Sequence, residues 1–86
     1  MSKPKLPDSV LPAELRVFIE LGDDKNYEEA ANALFISKHT AKTHARNARE
    51  RNNVKTNLAV YKIALDDGLL IVVKNANGKF TVIIAP

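Results

Sequence analysis

An 86-residue chain with 13 basic and 10 acidic side chains, no Cys and no Trp is long enough for one domain only, which excludes a multidomain enzyme built around an interdomain cleft. Without Cys there is no disulfide framework, no Cys-ligated zinc and no thiol nucleophile. The longest apolar run, Leu69 to Val73, is far short of the ~20 residues of a membrane span, and no apolar segment follows the Met-Ser-Lys-Pro-Lys-Leu-Pro start, so neither membrane insertion nor secretion is expected and a cytoplasmic protein is.

Residues 1–9 read as a loose basic arm with two prolines and little to bury. A first helix is expected from Pro12 to Leu21, with Asp8 or Ser9 as its cap, a stripe of Leu11, Leu15, Phe18 and Ile19, and Gly22 as its stop. The second start is the best marked. Asn26 can cap, and Glu29 three residues on completes a capping box ahead of Ala30, Ala31 and Leu34. Ser37 caps a third helix reaching Arg51 or Asn52. Its faces differ: Ala41, Ala45 and Ala48 fall on one side, Lys38, Lys42, Arg46 and Arg49 on another. Thr56 opens a fourth helix ended by Gly68, with Val60, Tyr61 and Ala64 on one apolar face and Leu58 and Leu65, seven apart, beginning a second.

From Leu69 the period changes from helix to strand. Two apolar runs flank Asn75-Ala76-Asn77-Gly78, and Asn77-Gly78 is the strongest short-range signal for a β-hairpin. An isolated hairpin is marginal in water, so these strands must pack on the helices, pair with another copy, or both.

Charge is segregated along the chain. Residues 38–55 carry six cations against Glu50 alone, whereas the remainder holds seven cations and nine carboxylates. A concentrated basic helix is the electrostatic footprint of a nucleic-acid binder, or a solvated helix face. His39 and His44, five apart and without further ligands, make no metal site, and no acidic pair accompanies a histidine in a catalytic pattern. Neither a cofactor, a small-molecule substrate nor an enzyme activity is expected.

The residues of the middle of the chain are more specific than their spacing. Glu14 with Val17-Phe18, Glu29-x-Ala31 with Leu34-Phe35-Ile36-Ser37, Thr40-x-Lys42-Thr43-His44-x-Arg46-Asn47, Val54-Lys55, and Ala64 with Gly68-Leu69-Leu70 together resemble the DNA-binding domain of the LuxR/GerE family of bacterial regulators. The resemblance is ungapped and covers residues 10–70. It departs from the family pattern at Ala30, Ala41 and Ala48, where larger apolar residues are usual, at Asn52 in place of leucine, and at Asp24 in place of glycine. It implies a mostly α fold, a four-helix helix-turn-helix domain over 10–70, here followed by a C-terminal two-stranded β-hairpin over 71–86 within the same compact unit.

The resemblance further implies a sequence-specific transcription regulator that binds double-stranded DNA as a homodimer, nucleoid-associated when bound. Its recognition helix, about Lys38–Arg51, would lie in the major groove. Base contacts are expected from Lys42, Thr43 and Arg46, consistent with the reach of Arg and Lys to guanine O6 and N7 and of a Thr methyl to thymine. Backbone contacts are expected from Lys38, His39, Thr40, Arg49, Arg51 and Lys55, and the dimer contact from Leu58, Lys62 and Leu65. No receiver or ligand-sensing domain is expected in the chain. The competing expectation is an interaction protein that pairs with a full-length regulator through its fourth helix or hairpin.

Overall fold

The structure, a computed structural model, describes residues 8–86; most of the basic arm expected over 1–9 lies outside them. Helices α1 (Pro12–Gly22), α2 (Tyr27–Leu34), α3 (Lys38–Arg51) and α4 (Asn57–Asp66) are followed by strands β1 (Leu70–Lys74) and β2 (Phe80–Ile84). The expected mostly helical class with a terminal hairpin is the observed one. No helix among the described residues is long and apolar enough to cross a membrane.

Three helix starts follow the capping chemistry of the sequence. Glu29 N–H donates to Asn26 Oδ1 at 2.8 Å and Asn26 N–H to Glu29 Oε1 at 3.1 Å, a reciprocal box. Thr40 N–H donates to Ser37 Oγ and Ala59 N–H to Thr56 Oγ1, each satisfying a backbone donor that the helix leaves unpaired. The first helix differs from expectation. Pro12 sets its first turn, so the cap position falls on Leu11, which has no side-chain acceptor. Glu14 Oε1 accepts the Leu11 N–H instead, at 2.9 Å. Ser9 is engaged elsewhere: its hydroxyl donates to Asp67 Oδ2 and closes the segment before α1 onto the end of α4.

The larger core joins Val10, Leu15 and Phe18 to Ala45, Ala48, Val60, Ala64, Leu69 and Leu70, with Val82 and Ile84 packed on it from β2. A smaller cluster of Val17, Ala31 and Ala41 lies where α1, α2 and α3 meet. Ala41, Ala45 and Ala48 have no exposed surface at all. Each removes little apolar area from water, so close approach of α3 to its neighbours, rather than side-chain bulk, fills this side of the core. Asp24, in the first interhelical turn, has φ 60°, a left-handed conformation that a short polar side chain tolerates better than most.

The hairpin is antiparallel, with Leu70 opposite Ile84, Val72 opposite Val82 and Lys74 opposite Phe80. Its turn falls in the Asn75–Gly78 connection that the sequence marks. Asn75 N–H donates to Lys79 O at 2.8 Å and Gly78 N–H to Asn75 O at 3.0 Å. Gly78 has φ 80°, whereas Asn77 is not left-handed. The loop is therefore Ala76-Asn77-Gly78, the three-residue form with glycine at the left-handed position. Asn75 selects it, because Oδ1 accepts both the Asn77 and the Lys79 N–H and fixes the chain one residue wider.

Candidate nucleic-acid interface

α2 and α3 are joined by a three-residue turn, Phe35-Ile36-Ser37. Phe35 has φ 57°, and its N–H closes α2 onto Asn32 O while the Ile36 N–H reaches back to Ala31 O. This left-handed residue ends one helix and lets Ser37 start the next. Burial of the alanine stripe then forces the opposite side of α3 outward: Lys38, His39, Lys42 and Arg46 are exposed, and Thr40, Thr43 and His44 are half-buried. Among the described residues, Lys38, Lys42 and Arg46 form no ion pair. Three cations therefore stand at successive four-residue spacings along one uncompensated helix face. At the start of this face the Ser37 hydroxyl donates to Thr40 Oγ1 at 2.8 Å, which ties the first turn together.

Lys42 lies with Nζ 5.9 Å from the centre of the Tyr27 ring. At an exposed site such a contact is worth only about 0.5–1 kcal/mol, so it positions the ammonium without locking it. The Tyr27 hydroxyl accepts from Asn57 Nδ2 at 2.7 Å, and Arg49 Nη1 donates to Asn57 Oδ1 and, at 3.4 Å, to the Tyr27 hydroxyl. Tyr27, Arg49 and Asn57 thus bind α2, α3 and α4 together immediately behind Lys42.

The cations near the end of α3 do not share the open character of the others. Arg49 is half-buried in the network just described. Arg51 donates from Nη1 and Nη2 to Glu14 Oε1 and Oε2 at 2.5 and 2.8 Å, and from Nη1 to Ser9 O at 3.3 Å. Glu14 is 2% exposed. Burial alone would raise its carboxyl, but the fork from Arg51, the Leu11 N–H and the charges of Arg51 and His44 outweigh it and hold the group below its ordinary value. Both arginines are expected on the DNA backbone, and in the structure their guanidinium groups also hold helices together. Lys55, the remaining cation of the set, is exposed in the connection before α4.

Asn52 completes this corner. Its Nδ2 donates to Ser9 O at 2.7 Å and Ala48 O at 2.8 Å, so a polar residue at this position anchors the backbone ahead of α1. The structural roles of Tyr27, Asn57 and Asn52 carried no signal in the sequence, because the contacts Tyr27–Arg49, Tyr27–Asn57 and Asn52–Ser9 span 22 to 43 residues.

The residues expected at a dimer contact on α4 divide. Leu58 is 62% exposed and Lys62 is exposed, but Leu65 is half-buried and packs on the large core. The spacing of seven aligns Leu58 and Leu65 on one stripe, yet the far end of that stripe packs against the core. α4 therefore offers a single exposed leucine.

No protein-family model matches the chain, and no curated protein matches it.

Proposed function

We propose that the protein is a LuxR/GerE-like helix-turn-helix regulator that binds double-stranded DNA sequence-specifically, with α3 in the major groove. The observation that carries this reading is the division of α3. Its alanine face is wholly buried and its opposite face holds Lys38, Lys42 and Arg46 outward without counter-ions among the described residues. A helix fixed along its length, with cations at four-residue intervals, suits base edges and phosphates at once. In this reading Lys42, Thr43 and Arg46 read bases; Lys38, His39 and Thr40 meet phosphates at the helix start, and Lys55 meets one beyond the opposite end of the helix. Arg49 and Arg51 complete the backbone contacts in this reading and also hold helices together. One copy has few base-reading side chains, so specificity comes from a homodimer on two half-sites about 34–36 Å apart.

Selection from random duplexes about three turns long, followed by sequencing, tests the proposal. The expected result is enrichment of a two-fold symmetric motif. Lys42→Ala with Arg46→Ala removes that enrichment while thermal unfolding stays unchanged. Enrichment that survives the double substitution refutes the assigned reading face. Binding without enrichment, fading steeply with salt, refutes sequence-specific readout and leaves phosphate attraction alone.

A further inference from the structure

Four of the seven large hydrophobic residues exposed among the described residues, Ile71, Val72, Phe80 and Ile83, belong to the hairpin. The backbone on its outer edges is also unpaired. Asn75 N–H donates to Lys79 O and Ala85 N–H to Leu69 O. Alternation along an antiparallel pair then places the inner hydrogen bonds at the pairs 71/83 and 73/81, and turns the N–H and C=O groups of Phe80, Val82 and Ile84 outward. The sheet has two strands only, so nothing among the described residues pairs with them. Such a row is a ready template for pairing with another extended strand.

The two edges are not equivalent. β1 ends in Lys74, a charge of the kind that blunts edge pairing, whereas Phe80–Ile84 carries none, no proline and no bulge. β2 also borders a cleft of about 320 Å³ against Ile19 and Tyr61, rimmed by Glu20, Asp23 and Lys25. Lys25 pairs with both carboxylates, leaving one negative charge in excess, and the Asp23 side chain remains 79% exposed. Phe80 is on the same face of the sheet as Val82 and Ile84, the face turned to the helices, and is 73% exposed. Lys79 precedes it, and Lys74 Nζ lies 6.0 Å from its ring centre.

We propose that a second copy of this chain pairs along β2, antiparallel, with Phe80 opposite the partner's Val82, so that each Phe80 covers the other copy's cleft. The chain supplies both halves of the fit: an uncharged strand for an uncharged strand, and a basic hairpin tip for a net-acidic cleft rim. The two-fold axis passes beside Thr81, and each β1–β2 hairpin becomes half of a four-stranded sheet. This interface lies in the hairpin and does not use Leu58, Lys62 or Leu65.

Pairing of this kind makes Thr81 face its own counterpart as a non-hydrogen-bonded pair, with Cα atoms about 4.5 Å apart, close enough for a disulfide. The native chain has no cysteine, so Thr81→Cys is a clean reporter. Three measurements without DNA test the interface. Wild-type protein at about 100 μM is expected to sediment at twice 9.5 kDa. Phe80→Glu, at an exposed position and facing Glu20 and Asp23, is expected to sediment as a monomer with unchanged circular dichroism. Mild oxidation is expected to cross-link Thr81→Cys at least tenfold faster than Lys62→Cys. A monomeric wild type, a dimeric Phe80→Glu protein, or faster cross-linking through Lys62→Cys overturns the proposal, and the last of these moves the interface to α4. DNA plays no part in these measurements, so the hairpin interface and the reading of α3 stand or fall separately.

Discussion

Arg51 and Glu14 join the last turn of α3 to the first turn of α1 through two parallel hydrogen bonds, and the same Glu14 oxygen that receives Arg51 Nη1 also accepts the Leu11 N–H. A single buried carboxylate therefore caps one helix and fastens another. Arg51 keeps a third of its side chain in water while Glu14 has almost none, and this asymmetry decides what each substitution does. Removing Arg51 strands a buried charge; removing Glu14 lets Arg51 return to solvent.

Arg51→Ala should therefore destabilise the fold by about 2–3 kcal/mol, the cost of an unpaired buried acceptor. Lys38→Ala, at an exposed cation on the same helix, should stay within about 0.5 kcal/mol of wild type. Urea unfolding followed by circular dichroism checks both. Equal effects of the two substitutions would show that the Arg51 contact contributes nothing beyond its surface charge.

The same pair sets a pH dependence. A carboxyl held lower in the folded chain than in the unfolded one contributes its full stabilisation above the unfolded value, about 4.3 for Glu, and loses it as pH falls through the folded value. Thermal unfolding temperature should fall on acidification through this range. Glu14→Gln, which cannot titrate, should start from a lower temperature at neutral pH and show a shallower acid decline. An identical decline in both proteins would assign it to other carboxylates.

Gly22 ends α1 with Tyr61 over it: a Cβ there would lie 2.8 Å from Tyr61 Cε2. Alanine in place of a helical glycine usually gains up to about 1 kcal/mol. Here the clash with a ring that packs on the core should reverse the sign, and Gly22→Ala should lower the unfolding temperature. In a Tyr61→Ala background the same change should be neutral or stabilising. Without that reversal, the aromatic ring is not the obstacle.

Ala45 is fully buried in the large core where α3 meets its neighbours. Ala45→Leu should cost about 1–3 kcal/mol through overpacking, although it raises hydrophobicity and gives up little helix propensity. Chemical denaturation measures the cost. A stabilised variant would mean that the alanine stripe leaves space unfilled rather than enforcing close approach.

Much of the architecture was legible in local chemistry. Asn26, Ser37 and Thr56 cap helices because their acceptors need only reach a backbone N–H three residues along. The split of α3 into alanine and cationic faces followed from helical period alone. What the sequence could not express was commitment. Lys42, Arg46, Arg49 and Arg51 look alike as basic residues on one helix, yet two remain open and two are held by Asn57 and Glu14, and only the packing of α4 and α1 against α3 separates them. The place of the hairpin turn was legible, but its width was not, since Asn75 sets it through side-chain bonds that a dipeptide signal omits.

The chain by itself determined four helices, the caps of three of them, a basic third helix and a terminal hairpin, because composition, period and capping act over a few residues. Tertiary structure alone decided which cations face water, that Leu65 belongs to the core while Leu58 stays outside, and that the β2 edge lies open beside a cleft. Those outcomes depend on which surfaces meet across 20 to 60 residues of chain, and burial, charge pairing and edge exposure are properties of the meeting rather than of either partner.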